Sequence, residues 1–405
     1  MLLPVLLVLS HHRWQSSDLR LQHLLSRLAG RWQVLFVEKP QQATGAPRLE
    51  AVEITPELTM LTVLTPQFGG AGQHDDASST ASRLLRQYID QHHLHVDIAW
   101  LTTPMALPLA QALHANCLVY DCAELPTTAD GMQAQLHHHE TSLVQQAALV
   151  LTGGPSLLQL HKPRHRNVHC LPNAVDMAHF SPVQLKHDSP QARRVKRLQS
   201  HLPRQRLGFA GVIDARLDLD LIAALAERHP EWSILMAGPV VGLDAARLPR
   251  QPNIHWLGSQ SCDDLPYLLA GWDVALLPFV LDESTRFLSP PQTLEYMAAG
   301  LPVVSTALHD VQALYFPAVS LASKDRFVAA CEDVLAEGTL ARCARLVEMN
   351  RHVVRHGWDD LAAAVHVLLE EALIGTSEDP FDGAAGLLVD TLERPRAPHR
   401  LAARA

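Results

Sequence analysis

The chain has 405 residues, 47% of them apolar and 19% charged, which excludes a disordered chain or a single small module and leaves room for two or three domains. A formal charge of −9, from 33 basic and 42 acidic residues, excludes a surface built as a whole to bind nucleic acid. Six cysteines without a C-x-x-C pair indicate neither a zinc site nor a disulfide framework, and fit a reducing compartment.

The apolar run Leu2–Leu9 lacks a basic leader and a small-residue cleavage site and is followed by His11-His12-Arg13, so it reads as a first strand. Further strands are expected at Gln33–Val37, Val96–Leu101, Cys117–Tyr120, Leu149–Thr152 and Val168–Leu171, with helices between them. Leu21, Leu24, Leu25 and Leu28 recur at helical spacing and give the first helix a buried stripe. The Gly/Ser/Asp-rich stretch Phe68–Ser82 reads as an exposed loop. His137-His138-His139 are adjacent on a helix, about 100° apart, and face solvent better than they share a metal ion.

Apolar periodicity then lapses in the basic, polar segment 181–206, which contains Arg193-Arg194-Val195-Lys196-Arg197 and reads as a solvated interdomain linker. Beyond it the alternation restarts. Strands are expected at Leu207–Ile213, Ser233–Ala237, Asn253–Leu257, Val274–Phe279 and Pro302–Ser305, and helices at Leu217–Arg228, Asp263–Ala270, Pro290–Ala299, Arg326–Glu337 and Asp359–Leu373. This is an α/β pattern of two doubly wound domains, 1–180 and 207–374, with a flexible tail at 375–405. No run approaches the roughly 18 apolar residues of a membrane span, so a soluble, cytoplasmic protein is expected, at most peripheral at the inner face of the membrane.

Ligands of doubly wound folds sit beyond the carboxyl ends of the strands, so the loops there carry the candidate residues. In Leu277–Thr306, Ser289 is a natural N-cap and Pro290 suits the first helical position, while Gln292, Glu295 and Ala299 share a face apart from the buried Leu294 and Met297. A helix start beyond a strand favours phosphate, and a carboxylate one turn in can accept from ribose hydroxyls; the competing reading leaves Glu295 a solvated carboxylate. Gly211 allows close backbone approach, and Arg216 either pairs with phosphate or with Asp214 or Asp218. In the first domain, His11 and Asp121 follow strands and are candidate general bases, or are polar groups satisfied within the fold.

Together these residues resemble bacterial glycosyltransferases of the GT-B fold near glycosyltransferase family 4, in the branch associated with UDP-galactopyranose mutase or with surface-polysaccharide synthesis. The resemblance rests on Ser10-His11-His12-Arg13-Trp14, Tyr120-Asp121-Cys122, Thr152-Gly153-Gly154-Pro155-Ser156, Pro172-Asn173-Ala174-Val175-Asp176 with His179-Phe180, and Gly211-Val212-Ile213-Asp214 with Arg216-Leu217-Asp218. Leu288-Ser289-Pro290 with Thr293-Leu294-Glu295-Tyr296 and Pro302-Val303-Val304-Ser305-Thr306 complete it, in order over most of residues 1–330.

It implies two Rossmann-like domains facing a cleft, an acceptor side in the first and a nucleotide-sugar donor in the second. The donor, a UDP- or GDP-sugar, is a substrate, and no cofactor or metal is implied. The acceptor is a glycan or a lipid-linked sugar. Glu295 matches the ribose-contacting acid, and Gly211 and Arg216 lie near the pyrophosphate. Two departures stand out. The family lysine position is Gln292, preceded by Pro291, which leaves Arg216 and Arg286 as cations and makes Ser289 with Gln292 a capping box. After Tyr120-Asp121-Cys122 the chain continues Ala123-Glu124-Leu125, one residue shorter than the Met-Asp-Glu-Leu of relatives and lacking one acid, and the acid that accompanies the ribose contact in the spaced-glutamate form, eight residues before it, is here Phe287. A catalytically impaired relative that binds nucleotide sugar or acts as a scaffold is the alternative.

Overall fold

The computed structural model describes residues 3–15, 19–66, 74–125, 133–186 and 188–375, in two compact units. The first comprises Met1–Gly153, Leu157–Leu171 and Ala362–Ala405; the second, Gly154–Ser156 and Pro172–Leu361. The expected tail beyond Gly375 lies outside the described residues.

The first unit is built on β1 (Val5–Leu9), β2 (Gln33–Val37), β3 (Gln41–Gln42), β4 (Arg48–Thr55), β5 (Leu58–Thr65), β6 (Val96–Leu101), β7 (Cys117–Cys122), β8 (Leu149–Thr152) and β9 (Val168–Cys170). Their order is β3-β5-β2-β1-β6-β7-β8-β9, with β4 antiparallel along β5 and the other pairs parallel. Every residue of β1 is buried, as a central parallel strand covered on both faces requires. After β1 the chain moves first to β2 and later to β6 on the opposite side. The switch point of this sheet therefore lies between the carboxyl ends of β1 and β6.

The second unit carries β10 (Arg206–Ala210), β11 (Ser233–Ala237), β12 (Ile254–Gly258), β13 (Val274–Leu277), β14 (Val303–Thr306) and β15 (Ser320–Ala322). All pairs are parallel, in the order β12-β11-β10-β13-β14-β15. Here the switch point falls between β10 and β13. Phe209, Leu235, Leu276 and Val304 are fully buried in one core that also takes the inner faces of the helices Leu219–Arg228 and Gln292–Ala298.

Two expectations need correction, and two elements were not expected. Segment 181–206 is not a plain linker: Pro190–Gln199 is a helix, with the Ser189 hydroxyl accepting from Ala192 N at 3.0 Å. Its basic residues mask a narrow stripe in which Val195, Gln199 and Leu202 are buried. Of the expected loop Phe68–Ser82, the stretch from residue 74 belongs to the helix His74–Gln91, anchored by Ala81, Leu85 and Ile89 four residues apart; the stretch before it lies outside the described residues. The hairpin β4–β5 was not anticipated, because β4 is exposed along most of its length and shows no apolar alternation. The helix Thr339–Arg355 was not anticipated either, since only Met349 and Val353 are buried on it.

Candidate functional site

At the switch point of the second unit, β10 ends in Ala210-Gly211 and β13 is followed by the loop that leads into the helix Gln292–Ala298. Tyr296 fixes that helix against β10: its buried hydroxyl accepts from Ala210 N at 2.8 Å and donates to Ala210 O at 3.3 Å. The loop is held from the other side by Asn173, whose Nδ2 donates to Ser289 O at 2.8 Å. Asp310, buried beyond β14, accepts from Ser156 N and Ser156 Oγ, both at 2.9 Å. A Cβ on Gly154 would lie 2.0 Å from Asp310 Oδ2 and 3.4 Å from Ser289 Cβ, so the glycine lets this segment close on the loop.

Within this frame the helix starts later than expected. Pro291 is the N-cap, without a side-chain bond, and the Ser289–Gln292 capping box is not formed. Thr293 N bonds to Pro290 O at 3.2 Å, because two consecutive prolines tighten the first turn. Consequently Ser289 Oγ, Gln292 Oε1 and Thr293 Oγ1 are buried atoms without a hydrogen-bond partner. Leaving such groups unsatisfied costs about 1–3 kcal/mol each, and three within five residues are a cradle suited to a polar ligand. Gly211 borders it, since a Cβ there would meet Gln292 Nε2 at 2.6 Å. Gly208, by contrast, makes room for the Trp272 ring, 2.5 Å from its would-be Cβ, and serves packing.

Glu295 lies one turn into the helix and is part-buried. Burial alone raises its carboxyl from 4.5 to about 7, with no cation to offset it. Beside it stand Cys262, which sequence reasoning missed, and His179, which it named only as part of a motif. The exposed Cys262 has its Sγ 3.6 Å from His179 Nε2, and its thiol is pushed up by burial and then by the charges of Glu295, Asp263 and Asp176. His179 belongs to the short helix Met177–Phe180, capped by Asp176 and packed against Gln292–Ala298. The Asn-x-x-Asp-x-x-His-Phe spacing was the signal available for it.

The expected cations are placed differently. Arg216 does not open a helix; it lies in the turn before Leu219–Arg228, which Asp218 caps. Its guanidinium bonds both oxygens of Asp214, at 3.1, 3.1 and 2.7 Å. Burial raises the Asp214 carboxyl, but the bonds from Arg216 outweigh it and hold the group below its ordinary range. Arg286 is 62% exposed, 3.3 Å from Glu283, and its guanidinium lies over the Phe287 ring at 5.2 Å. The loop and helix thus place Gln292 against Gly211 and Glu295 one turn further along, whereas Arg286 is exposed.

In the first unit His11 follows β1 at its switch point. It is exposed, and its Nδ1 is 3.1 Å from the Thr102 hydroxyl beyond β6. Asp121 is not in a loop, because β7 runs to Cys122; it is 2% exposed, accepts from Trp100 Nε1 at 3.3 Å and faces Arg20 Nη2 at 3.7 Å. Among the described residues no group of three His, Cys, Asp or Glu side chains could hold a metal ion, and no helix is long and apolar enough to cross a membrane.

Comparison with known proteins bears on this arrangement. Residues 204–349 match the family model "Glycosyl transferases group 1". The chain is 27% identical over 259 residues to the "Putative teichuronic acid biosynthesis glycosyltransferase TuaH" of Bacillus subtilis (strain 168), a match spanning 59% of this chain and 63% of that protein. In fold it is similar to sucrose-phosphate synthase from Thermosynechococcus elongatus, with a TM-score of 0.70 and 14% identity over 92% of this chain and 100% of the other. It is also similar to Anabaena HepE in complex with UDP-glucose, with a TM-score of 0.65 and 13% identity over 91% and 99% of the two chains. The chain thus shares the GT-B fold of these structures, and its residues 204–349 are similar to the glycosyl transferases group 1 domain.

Proposed function

We propose that this protein is a glycosyltransferase that moves a sugar from a UDP- or GDP-sugar to a hydroxyl of a glycan or lipid-linked acceptor in surface-polysaccharide synthesis. The observation that carries this reading is the unsatisfied cradle of Ser289, Gln292 and Thr293 beside Gly211, one turn before an unpaired Glu295, at a switch point within the region that matches the group 1 family model. In it the ribose hydroxyls donate to the Glu295 carboxylate, and the Ser289 and Thr293 hydroxyls and Gln292 Nε2 donate to the diphosphate. Sugar transfer builds positive charge at the anomeric carbon and negative charge on the leaving diphosphate, so polar groups fixed around that phosphate lower the barrier.

His11, exposed at the switch point of the first sheet, is the proposed base for the acceptor hydroxyl in preference to the buried Asp121. A cytoplasmic setting, and contact with the inner face of a membrane that presents a lipid-linked acceptor, are part of the proposal. The name of the Bacillus relative, a putative teichuronic acid biosynthesis glycosyltransferase, supports a role in polymer synthesis.

A second reading, a nucleotide-sugar-binding scaffold with little turnover, draws on the neutral Gln292 at the family's lysine position. Thermal-shift screening against a panel of nucleotide sugars, followed by a product assay with the best ligand, tests both. One selective UDP- or GDP-sugar shift that is lost in Glu295→Ala supports the donor site, and equal shifts in the two proteins reject it. Gln292→Lys then separates enzyme from scaffold, since only the former gains turnover with donor affinity.

A further inference from the structure

With glutamine at the family's lysine position, the diphosphate has to find its positive charge elsewhere. Among the described residues, Arg286, Lys324 and Arg216 lie in the segments that follow β13, β15 and β10. Arg286 is 62% exposed and paired to Glu283. Lys324 is 59% exposed and 2.8 Å from Asp218, with Asp220 at 3.5 Å. Arg216 is 35% exposed, and the turn that carries it is pinned to the end of β13: Val280 N donates to Arg216 O at 2.9 Å and Asp218 N to Pro278 O at 2.8 Å. The same turn begins at Gly211, against Gln292. Arg216 is therefore the cation that the backbone holds at the switch point.

Its guanidinium already makes the contact a phosphate would make. A fork that bonds both oxygens of a carboxylate bonds two phosphate oxygens through the same N–H groups. The two partners differ in freedom. Asp214 is tied down, because its Oδ1 also accepts from Arg216 N at 2.9 Å. The arginine head sits on a long side chain and can turn from one anion to another.

We propose, resting on the donor-site reading above, that Asp214 is a positioning residue: it holds the Arg216 fork ready in the ligand-free protein and yields it to the donor's diphosphate, which replaces it as the bidentate partner. Donor affinity is then set by a competition between two anions for one guanidinium. Asparagine at 214 keeps the oxygen that accepts from Arg216 N and removes the competing charge.

The test is titration calorimetry with UDP and GDP, and with uridine and guanosine as phosphate-free controls, on the wild type, Asp214→Asn, Arg216→Ala and the double variant. Asp214→Asn binds the diphosphate about tenfold tighter with the nucleoside unchanged, and the gain vanishes in the double variant. Arg216→Ala weakens diphosphate binding and leaves the nucleoside unaffected. Should Asp214→Asn fail to fold, the Arg216 Nε–H resonance of the wild type decides: it moves on addition of the diphosphate and not of the nucleoside. Unchanged or weaker diphosphate binding in Asp214→Asn, an equal gain for the nucleoside, or a resonance that stays in place overturns the role of Asp214. If neither diphosphate nor nucleoside binds the wild type, the donor-site reading falls first and this inference with it.

Discussion

Replacing Glu295 with glutamine exposes the cost of keeping an unpaired carboxyl in the proposed donor site. Burial raises this group from 4.5 to about 7 in the folded protein. The folded state therefore keeps its proton up to higher pH than the unfolded chain, and the stability that this difference supplies is lost as the pH rises from 4.5 to about 7. At about 1.4 kcal/mol per tenfold change, the ionised side chain costs ~3 kcal/mol at pH 8 and less than ~1 kcal/mol at pH 5.

Glutamine carries no such charge, so Glu295→Gln is more stable than the wild type by up to ~3 kcal/mol at pH 8 and nearly equal to it at pH 5. Urea unfolding of both proteins at the two pH values measures this. A difference that does not grow with pH, or a glutamine variant less stable at pH 8, refutes the reasoning. The same group links binding to protons. Only the ionised carboxyl accepts from two ribose hydroxyls, so donor affinity at pH 6 falls about tenfold below its value at pH 8. Binding at pH 7 then releases about half a proton in the wild type and none in the variant, read by calorimetry in buffers of different ionisation enthalpy.

Other substitutions bear on the same site. Thr293→Val removes a buried hydroxyl without a partner, and is expected to stabilise the ligand-free protein by about 1 kcal/mol while weakening donor binding, as denaturation and titration would show. Asp310→Ala leaves Ser156 N and Oγ without their acceptor and is expected to cost on the order of 3 kcal/mol; a loss below about 1 kcal/mol speaks against its anchoring role. Arg286→Ala, directed at a surface residue paired to Glu283, should change donor affinity less than about twofold. His11→Ala should lower turnover with little effect on donor binding, measured as kcat against donor Kd.

Much of this architecture is legible in the sequence because parallel strands buried on both faces are continuous apolar runs. Gln33–Val37, Val96–Leu101, Leu149–Thr152 and Ser233–Ala237 stand at their expected bounds for this reason. The exposed hairpin strand β4 and the helix Thr339–Arg355 bury too few side chains to leave such a mark. In the site, the clustering of Ser289, Gln292, Thr293 and Glu295 follows from their spacing, whereas their bonding does not. Ser289 is a preferred cap by residue type, but Pro290 and Pro291 shift the helix start beyond its reach. That Arg216 would choose Asp214 over Asp218 was equally hidden, because Asp218 is drawn off by Leu221 N and Lys324. The His179–Cys262 contact joins positions 83 residues apart, which local pattern does not encode.

The most direct test of the donor site is a crystal structure with a bound UDP- or GDP-sugar. It should show both ribose hydroxyls within hydrogen-bond distance of the Glu295 carboxylate, and the diphosphate on Ser289, Gln292 and Thr293. A nucleotide bound in the first unit, or a crevice closed by its own side chains with the ligand elsewhere, would contradict it.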